Sequence, residues 1–441
     1  MTSFASAAED AERRLSQQRM QALVLCGFSV ANYALLYVTS ILLARTLSVP
    51  DFDDYNVAVS SVLVLTSLAT LGLEKYALRC LPAWHNHRDW ARSSGFLQFS
   101  RRLILVTSLV LVVLFCVTLE LTLTLRGKPY HVAIVIVAMF LPATAMFQFI
   151  LEVAAAYGGQ LKGVASYRLL FPALLLLLNA GVWILLAASG GVSAAFCYGA
   201  AWLVAIAVLY LTTQNYVPAP VWQAKPMREP GVWIRGALPM AAGSLVLTML
   251  AQTGVIILEL NHPDEAVVSA YAVAFQTGTF VVILATATNR LYAPRISALL
   301  DRGDFQALRI MARYRLLVIA PLTLGYLFVI IAFGPSILSL FGENYSTEYP
   351  ALCLIALGAS VSTIFSLSPT YMHFTNRDRI VLPALVASVV LNLALCIPLS
   401  DRYGALGAAI AYAVPISLLH VGLWPFELYD LVRYKLAMWH A

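Results

Sequence analysis

Apolar residues run in twelve long blocks along this chain, and polar residues gather in the short segments between them. Each block is about as long as the helix that crosses the roughly 30 Å hydrocarbon core of a bilayer. No block alternates polar and apolar residues over about ten positions, as the strands of a membrane barrel do. The pattern predicts an all-α polytopic membrane protein with about twelve transmembrane helices. The blocks are approximately 20–45, 55–79, 103–125, 131–155, 164–188, 194–212, 232–258, 267–292, 314–334, 348–373, 380–399 and 406–428.

The distribution of basic residues predicts the orientation. With a cytoplasmic amino terminus, all but four of the 28 Lys and Arg residues fall on the cytoplasmic side. Basic residues are retained on that side of membranes, so both termini are predicted to be cytoplasmic. The net charge of +6 follows from this bias and gives no reason to expect a nucleic-acid partner. The four exceptions are Arg45, Arg126, Lys128 and Arg402.

Several classes of protein receive no support from the sequence. The first apolar block is too long for a cleavable signal peptide, so we expect it to remain as an anchor. The six cysteines are scattered and form no metal-binding motif, and no metal or cofactor is predicted. We find no DxD-like pair, nucleophile arrangement or Gly-rich nucleotide loop on the cytoplasmic side. The sequence therefore predicts that the protein is not an enzyme.

Matching residues recur at an offset of 211 and indicate an internal repeat. Because each half would hold six spans, the repeats should be parallel and related by an axis along the membrane normal, with a central cavity between them. The predicted parts are a tail (1–19), an N-lobe (20–212), a linker (213–231), a C-lobe (232–428) and a second tail (429–441). The matched pairs are Arg79 and Arg290, Arg102 and Arg313, and Arg168-x-x-x-Pro172 and Arg379-x-x-x-Pro383.

The end of the second block, residues 70–82, carries the charges that are most informative about function. Lys75 and Arg79 lie four apart, so on a helix they stack on one face and repel each other. Such a pair favours an anion, and Arg290 occupies the position of Arg79 in the second half. These cations are predicted to bind substrate; the alternative is that they reach from helix ends to lipid headgroups.

Other polar residues within the blocks are candidates for the same path. Arg45 either faces the path at its outer mouth or pairs with Asp51, Asp53 and Asp54. Glu152 either binds a coupling proton or cation, or forms a structural ion pair with Lys162 or Arg168. The remaining candidates are Arg235, Asn32, Gln276 and Asn289 for substrate binding, and Glu74 for coupling.

Six stretches together resemble the polysaccharide-transporter branch of the multidrug/oligosaccharidyl-lipid/polysaccharide (MOP) exporter superfamily, which includes O-antigen and exopolysaccharide flippases. The resemblance implies a MATE-like, two-lobed bundle of twelve or fourteen helices with a positively charged cavity. Asp53-Asp54-Tyr55 departs from the family, because many relatives have glycine before this tyrosine. The stretches are LLARTLSVPDFDDY (42–55), LGLEKYALR (71–79), SAYAVAFQTG (269–278), LYAPRISALLDRGDFQAL (291–308), LSLFGENY (338–345) and DRYGALGAAIAYA (401–413).

This resemblance implies a flippase in the bacterial inner membrane. It would move a polyprenyl-(pyro)phosphate-linked oligosaccharide to the periplasmic leaflet by alternating access, for cell-surface polysaccharide synthesis. Membrane lipid, a polysaccharide polymerase and assembly proteins are the further partners that it suggests. The alternative is a cation-coupled small-molecule exporter of the same superfamily. Such exporters usually need a carboxylate deep in a span, whereas spans one, seven and eight have none at their centres and Glu259 lies at an outer end.

Overall fold

The computed structural model describes the backbone of residues 2–126, 132–186, 190–261, 265–375 and 377–439. Every regular element in these ranges is a helix, so the all-α prediction is confirmed. Side chains are described in the same ranges except at 2–19, 21–23, 122–126, 186, 265, 290–291, 293–294, 297–298, 301, 370, 373–374, 378 and 426–439.

The first half of the chain forms nine α-helices. A five-residue π-helical turn, Ser166–Leu170, separates α7 from α8 within the fifth span. The helices are α1 (Thr2–Thr46), α2 (Val49–Ala69), α3 (Leu73–Asn86), α4 (Trp90–Arg126), α5 (Val132–Met139), α6 (Leu141–Ala156), α7 (Gln160–Ala165), α8 (Phe171–Leu186) and α9 (Gly191–Thr213).

The connection to the second half and the second half itself form eight more. Short 3-10 turns lie at Gln214–Tyr216 and Glu343–Glu348. The helices are α10 (Ala219–Gln223), α11 (Pro230–Asn261), α12 (Glu265–Gly278), α13 (Val282–Asp301), α14 (Phe305–Leu338), α15 (Tyr349–Ile364), α16 (Leu367–Phe374) and α17 (Asp378–Trp439).

Counted by length and composition, these helices supply the predicted spans. Nine helical stretches within the described ranges are long and apolar enough to cross a membrane. Two bent pairs add a span each: α2 meets α3 at 44°, and α12 meets α13 at 41°. The 47-residue stretch Arg379–Pro425 of α17 is long enough for two crossings, and Gly404 interrupts its helical backbone with φ 55° and ψ −131°. With that stretch counted twice, the described part of the chain carries twelve spans.

The two bends occupy equivalent places in the halves. The first lies between Ala69 and Leu73 and the second between Gly278 and Val282, close to the offset of 211 found in the sequence. At the first bend, Leu71 and Gly72 both have positive φ, 50° and 72°, which ends the regular helix. The agreement supports the internal repeat. The division into lobes at 213–231 stays a prediction.

The halves meet along helices from their first and second spans. Helix α11 packs against α2 and α3, while α1 packs against both α8 and α13. We use "inner end" for the end of the bundle that holds residues 75–102 and 302–316. This end is rich in basic residues and is the one predicted to be cytoplasmic. There Trp233 of α11 is fully buried, with its ring 5.6 Å from Phe96 and 5.4 Å from Phe99 of α4. Aromatic packing of this kind fixes α11 against the first half.

The connection between the halves is fastened to α4 at the same end. The amide of Met227 donates to the carbonyl oxygen of Ala91 at 3.0 Å. The side chain of Arg92 pairs with Glu229, with 3.1 Å between Nε and Oε2. These contacts hold the segment before α11 on the first half and so set where the second half begins.

Candidate functional site

Lys75 lies in the first turn of α3, directly after the bend. Its ammonium group pairs with Oε1 of Glu152 on α6. The two side chains are 45% and 16% exposed, so the pair lies at the edge of the protein interior. The positive charge of Lys75 is therefore balanced by a carboxylate, and in this arrangement the Lys75–Arg79 stack carries one unbalanced charge.

The two partners expected for Glu152 lie elsewhere, so that part of the interpretation was wrong. Lys162 stands over the ring of Tyr216, 5.3 Å from its centroid. Arg168 donates from its guanidinium to the hydroxyl oxygen of Ser29 on α1. Arg168 belongs to the π-helical turn, whose wider winding changes the direction in which side chains point. Glu152 therefore pairs with Lys75 instead.

Arg79 and Arg235 lie close to a direct contact between α3 and α11. The ring of Tyr76 packs against Gly236, where a Cβ would lie 2.4 Å from the ring. Arg79 follows Tyr76 by one turn, and Arg235 is next to Gly236. Both arginines are exposed, and neither makes an ion pair with any residue whose side chain is described. We call the contact of Tyr76 with Gly236, together with the neighbouring Arg79 and Arg235, the inner seam.

Glu74 is buried beside this seam. It is 6% exposed, and no described residue donates a hydrogen bond to its Oε2. Ionised carboxylates are costly to bury without partners. Among the predicted coupling residues, Glu74 has a free carboxylate oxygen, whereas Glu152 is engaged by Lys75.

Arg45 closes a contact at the opposite, outer end. Its Nε donates to the carbonyl oxygen of Leu340 at 2.5 Å and its Nη2 donates to that of Ser339 at 3.2 Å. These carbonyls lie at the carboxyl end of α14, where a helix attracts cations. Arg45 therefore joins the end of α1 in the first half to the end of α14 in the second, a partner that neither sequence interpretation named.

The candidate amides have different surroundings. Asn289 donates from Nδ2 to the carbonyl oxygen of Ser366 at 3.2 Å, and its Oδ1 accepts from Arg315 at 3.0 Å. Asn32 on α1 and Gln276 on α12 are half-buried. The side chain of Arg290 lies outside the described ones. A role for these four residues in substrate binding stays a prediction.

Sequence reasoning missed Arg315 as a functional candidate. It is 3% exposed, and besides Asn289 its guanidinium donates to the hydroxyl of Ser366 at 2.6 Å and the carbonyl oxygen of Ile364 at 3.3 Å. The available signal was an arginine inside the predicted span 314–334. Its position near the span's end made it resemble an ordinary headgroup contact.

The arrangement combines cations at an interface between halves with nearby carboxylates. Arg79 and Arg235 can bind an anion, and Lys75 can exchange Glu152 for one. Within the described ranges, no three His, Cys, Asp or Glu side chains come together as a metal site. The basic residues can bind anions, and the carboxylates can take up protons or cations.

No protein-family model and no curated protein matches the sequence. The fold does match solved structures. An inward-facing multidrug resistance MATE family transporter of the MOP superfamily gives a TM-score of 0.78 at 13% identity, over 94% of this chain and 99% of that one. An outward-facing one gives 0.60 at 13%, over 95% and 97%. A mutant of the Vibrio cholerae MATE transporter VcmN gives 0.61 at 17%, over 98% and 99%. The chain therefore has a MATE-like fold.

Proposed function

We propose that this protein is a flippase for a polyprenyl-(pyro)phosphate-linked oligosaccharide, moving the headgroup from the cytoplasmic to the outer leaflet by alternating access. The observation that carries the proposal is the inner seam. Arg79 and Arg235 come from different halves of the chain, and neither is neutralised by a described side chain. Unpaired guanidinium groups at the boundary between two moving halves suit an anionic cargo, because arginine binds phosphate oxygens through two parallel hydrogen bonds.

The physical problem of such a cargo fits this fold. A sugar and a diphosphate cannot enter hydrocarbon, since each polar group would lose its hydrogen bonds to water. The polyprenyl tail can stay in lipid while the head passes between the halves. A bundle of two repeats offers such a passage, as rocking of one half on the other exposes it to each side in turn.

Contacts at the outer end hold the two halves together there. Arg45 bridges the halves at Leu340 and Ser339, and the rings of Phe52 and Tyr345 meet edge to face 6.2 Å apart. The backbone also resembles the inward-facing MATE structure more than the outward-facing one, with TM-scores of 0.78 and 0.60. Since Tyr76 packs directly against Gly236, the seam has to part before it receives cargo from the cytoplasmic leaflet.

We assign distinct roles to the charged residues. Arg79 and Arg235 hold the phosphate, and Lys75 joins them when the phosphate displaces Glu152. Glu152, released from Lys75, and the buried Glu74 are then the carboxylates that take up a proton or cation. Uptake of one positive charge would compensate the anion that has entered.

Complementation of a flippase-null strain tests the proposal. We expect Arg79→Glu with Arg235→Glu to abolish surface polysaccharide at normal expression, since reversed charges repel the diphosphate. Arg101→Glu with Arg302→Glu is the matched control, because both are exposed arginines at the inner end but outside the seam. Full complementation by the seam variant would overturn the proposal, and so would an equal loss in the control.

A cation-coupled small-molecule exporter is the second candidate. It is favoured by the likeness to multidrug resistance MATE structures. Against it, residues 20–44, 230–258 and 266–300, which cover spans one, seven and eight, contain no Asp or Glu. Drug-susceptibility assays in a pump-deficient host separate the two: a flippase should give no broad resistance.

A further inference from the structure

A second basic site lies at the inner end, away from the seam. A cavity of about 200 Å³ opens between the start of α14, the junction of α15 with α16, and the last span in α17. Its walls combine arginine side chains with apolar and aromatic ones. They include Arg309, Arg313, Arg315, Ile364, Phe365 and Trp424.

All three arginines of this cavity come from α14. Arg309 and Arg313 lie four apart on α14, so they share a face and repel each other. Both are exposed, and neither makes an ion pair with a described side chain. Arg315 is buried and held in place by Asn289 and Ser366. An anion in the cavity would relieve this repulsion and meet a preorganised guanidinium.

The equivalent crevice in the first half shows that this charge is not a by-product of the fold. Arg101, Val153, Ala154 and Thr213 line a cavity of about 50 Å³ there. Each lies 211 residues before a residue that lines the larger cavity. Among the residues lining the smaller cavity Arg101 alone is basic, and Trp222 of α10 forms part of its wall. The same crevice is therefore small, with one arginine, in one half, and larger, with three arginines, in the other.

We propose that the cavity of the second half binds the phosphate of an anionic phospholipid from the inner leaflet. Its volume is below the roughly 300–1,000 Å³ of pockets that enclose whole ligands, so it suits a headgroup and not a complete lipid. From Arg313, the exposed side chains of Leu317, Leu324 and Phe328 continue at helical spacing along α14. This apolar stripe supplies a surface for acyl chains, which a soluble phosphate would not need.

Trp424 is placed as the interfacial residue of such a site. Its ring packs on Phe365 with 5.3 Å between centroids and is 38% exposed. Tryptophan prefers the headgroup level of a bilayer, where its ring lies in apolar surroundings and its N–H meets polar groups. The site requires no particular cargo, so it stands or falls separately from the proposed flippase activity.

Native mass spectrometry of the delipidated protein tests the site. Phosphatidylglycerol, phosphatidylcholine, polyprenyl phosphate and inorganic phosphate are titrated separately. We expect phosphatidylglycerol to bind about twenty-five-fold more weakly to Arg309→Gln with Arg313→Gln, since each arginine near an anionic headgroup contributes about five-fold in affinity. The control, Arg101→Gln with Arg302→Gln, removes the same charge at the same end and should bind like the wild type.

Three results would overturn the proposal. Equal binding of phosphatidylglycerol by the wild type and the cavity variant would show that the arginines do not hold the headgroup. Arginine-dependent binding of polyprenyl phosphate without phosphatidylglycerol would make the cavity part of the cargo route. Comparable binding of inorganic phosphate would make it a site for a soluble anion. A thermal melt of each variant shows that it is folded before titration.

Discussion

The bend between α2 and α3 depends on a glycine that no other residue can replace without cost. Gly72 has a φ of +72°, in the left-handed region. A Cβ at this position would lie 2.5 Å from the backbone nitrogen of Ala241 and 2.6 Å from the carbonyl oxygen of Ala237, both on α11. Backbone atoms cannot turn aside as a flexible side chain can. Gly72→Ala must therefore push α3 away from α11.

The expected cost has two parts. A left-handed conformation costs a non-glycine residue about 1–2 kcal/mol, and overpacking a close contact costs about 1–3 kcal/mol. Gly72→Ala should thus lower the free energy of unfolding by about 2–5 kcal/mol. Gly303 provides the control, because its φ is +66° and nothing lies within 4 Å of the added Cβ. Gly303→Ala should cost only the conformational part, about 1–2 kcal/mol.

Denaturant unfolding in mixed micelles measures both variants against the wild type. The difference between them isolates the approach of α3 to α11, and with it the close contact between the halves. Equal destabilisation by the two substitutions would refute the packing described at the bend.

Three further predictions concern polar contacts. A double-mutant cycle with Lys75→Ala and Glu152→Ala should give a coupling of about 0.5–1 kcal/mol in the free energy of unfolding, since the pair is partly exposed. A coupling of zero would show that the two side chains form no stabilising ion pair. Arg45→Gln should speed amide hydrogen exchange around Ser339 and Leu340, because the end of α14 loses its bridge to α1, and unchanged exchange would show that the bridge holds nothing. Arg315→Leu should cost about 2–5 kcal/mol by leaving buried partners unsatisfied, whereas Arg313→Leu at the exposed position should change stability by less than about 0.5 kcal/mol.

The approximate number and positions of the spans could be predicted because membrane helices must be long, apolar and separated by polar turns. Their ends could not: the helices of the blocks at 103–125 and 314–334 begin at Trp90 and Phe305. The second span illustrates the limit of that reasoning. Its apolar block predicts one helix across 55–79, whereas Leu71 and Gly72 divide it into α2 and α3. The close approach of α11 to Gly72 leaves no room for a side chain at this point, and that contact comes from far along the sequence.

The site was predictable in composition but not in pairing. The charges of Lys75, Arg79 and Glu152 stand out in an apolar sequence, yet the partner of Lys75 lies 77 residues away. Nothing in the local sequence signals the π-helical turn that directs Arg168 to α1. The bridge made by Arg45 likewise depends on how the halves are placed relative to each other.

Transport by the purified protein in liposomes tests the central claim most directly. A polyprenyl-diphosphate oligosaccharide is placed in one leaflet, and its appearance in the other is followed with a glycosidase that cannot cross the membrane. We expect wild-type protein and the Arg101→Glu, Arg302→Glu variant to move it, and the Arg79→Glu, Arg235→Glu variant to fail. Absence of movement by the wild type, or equal movement by all three, would contradict the account.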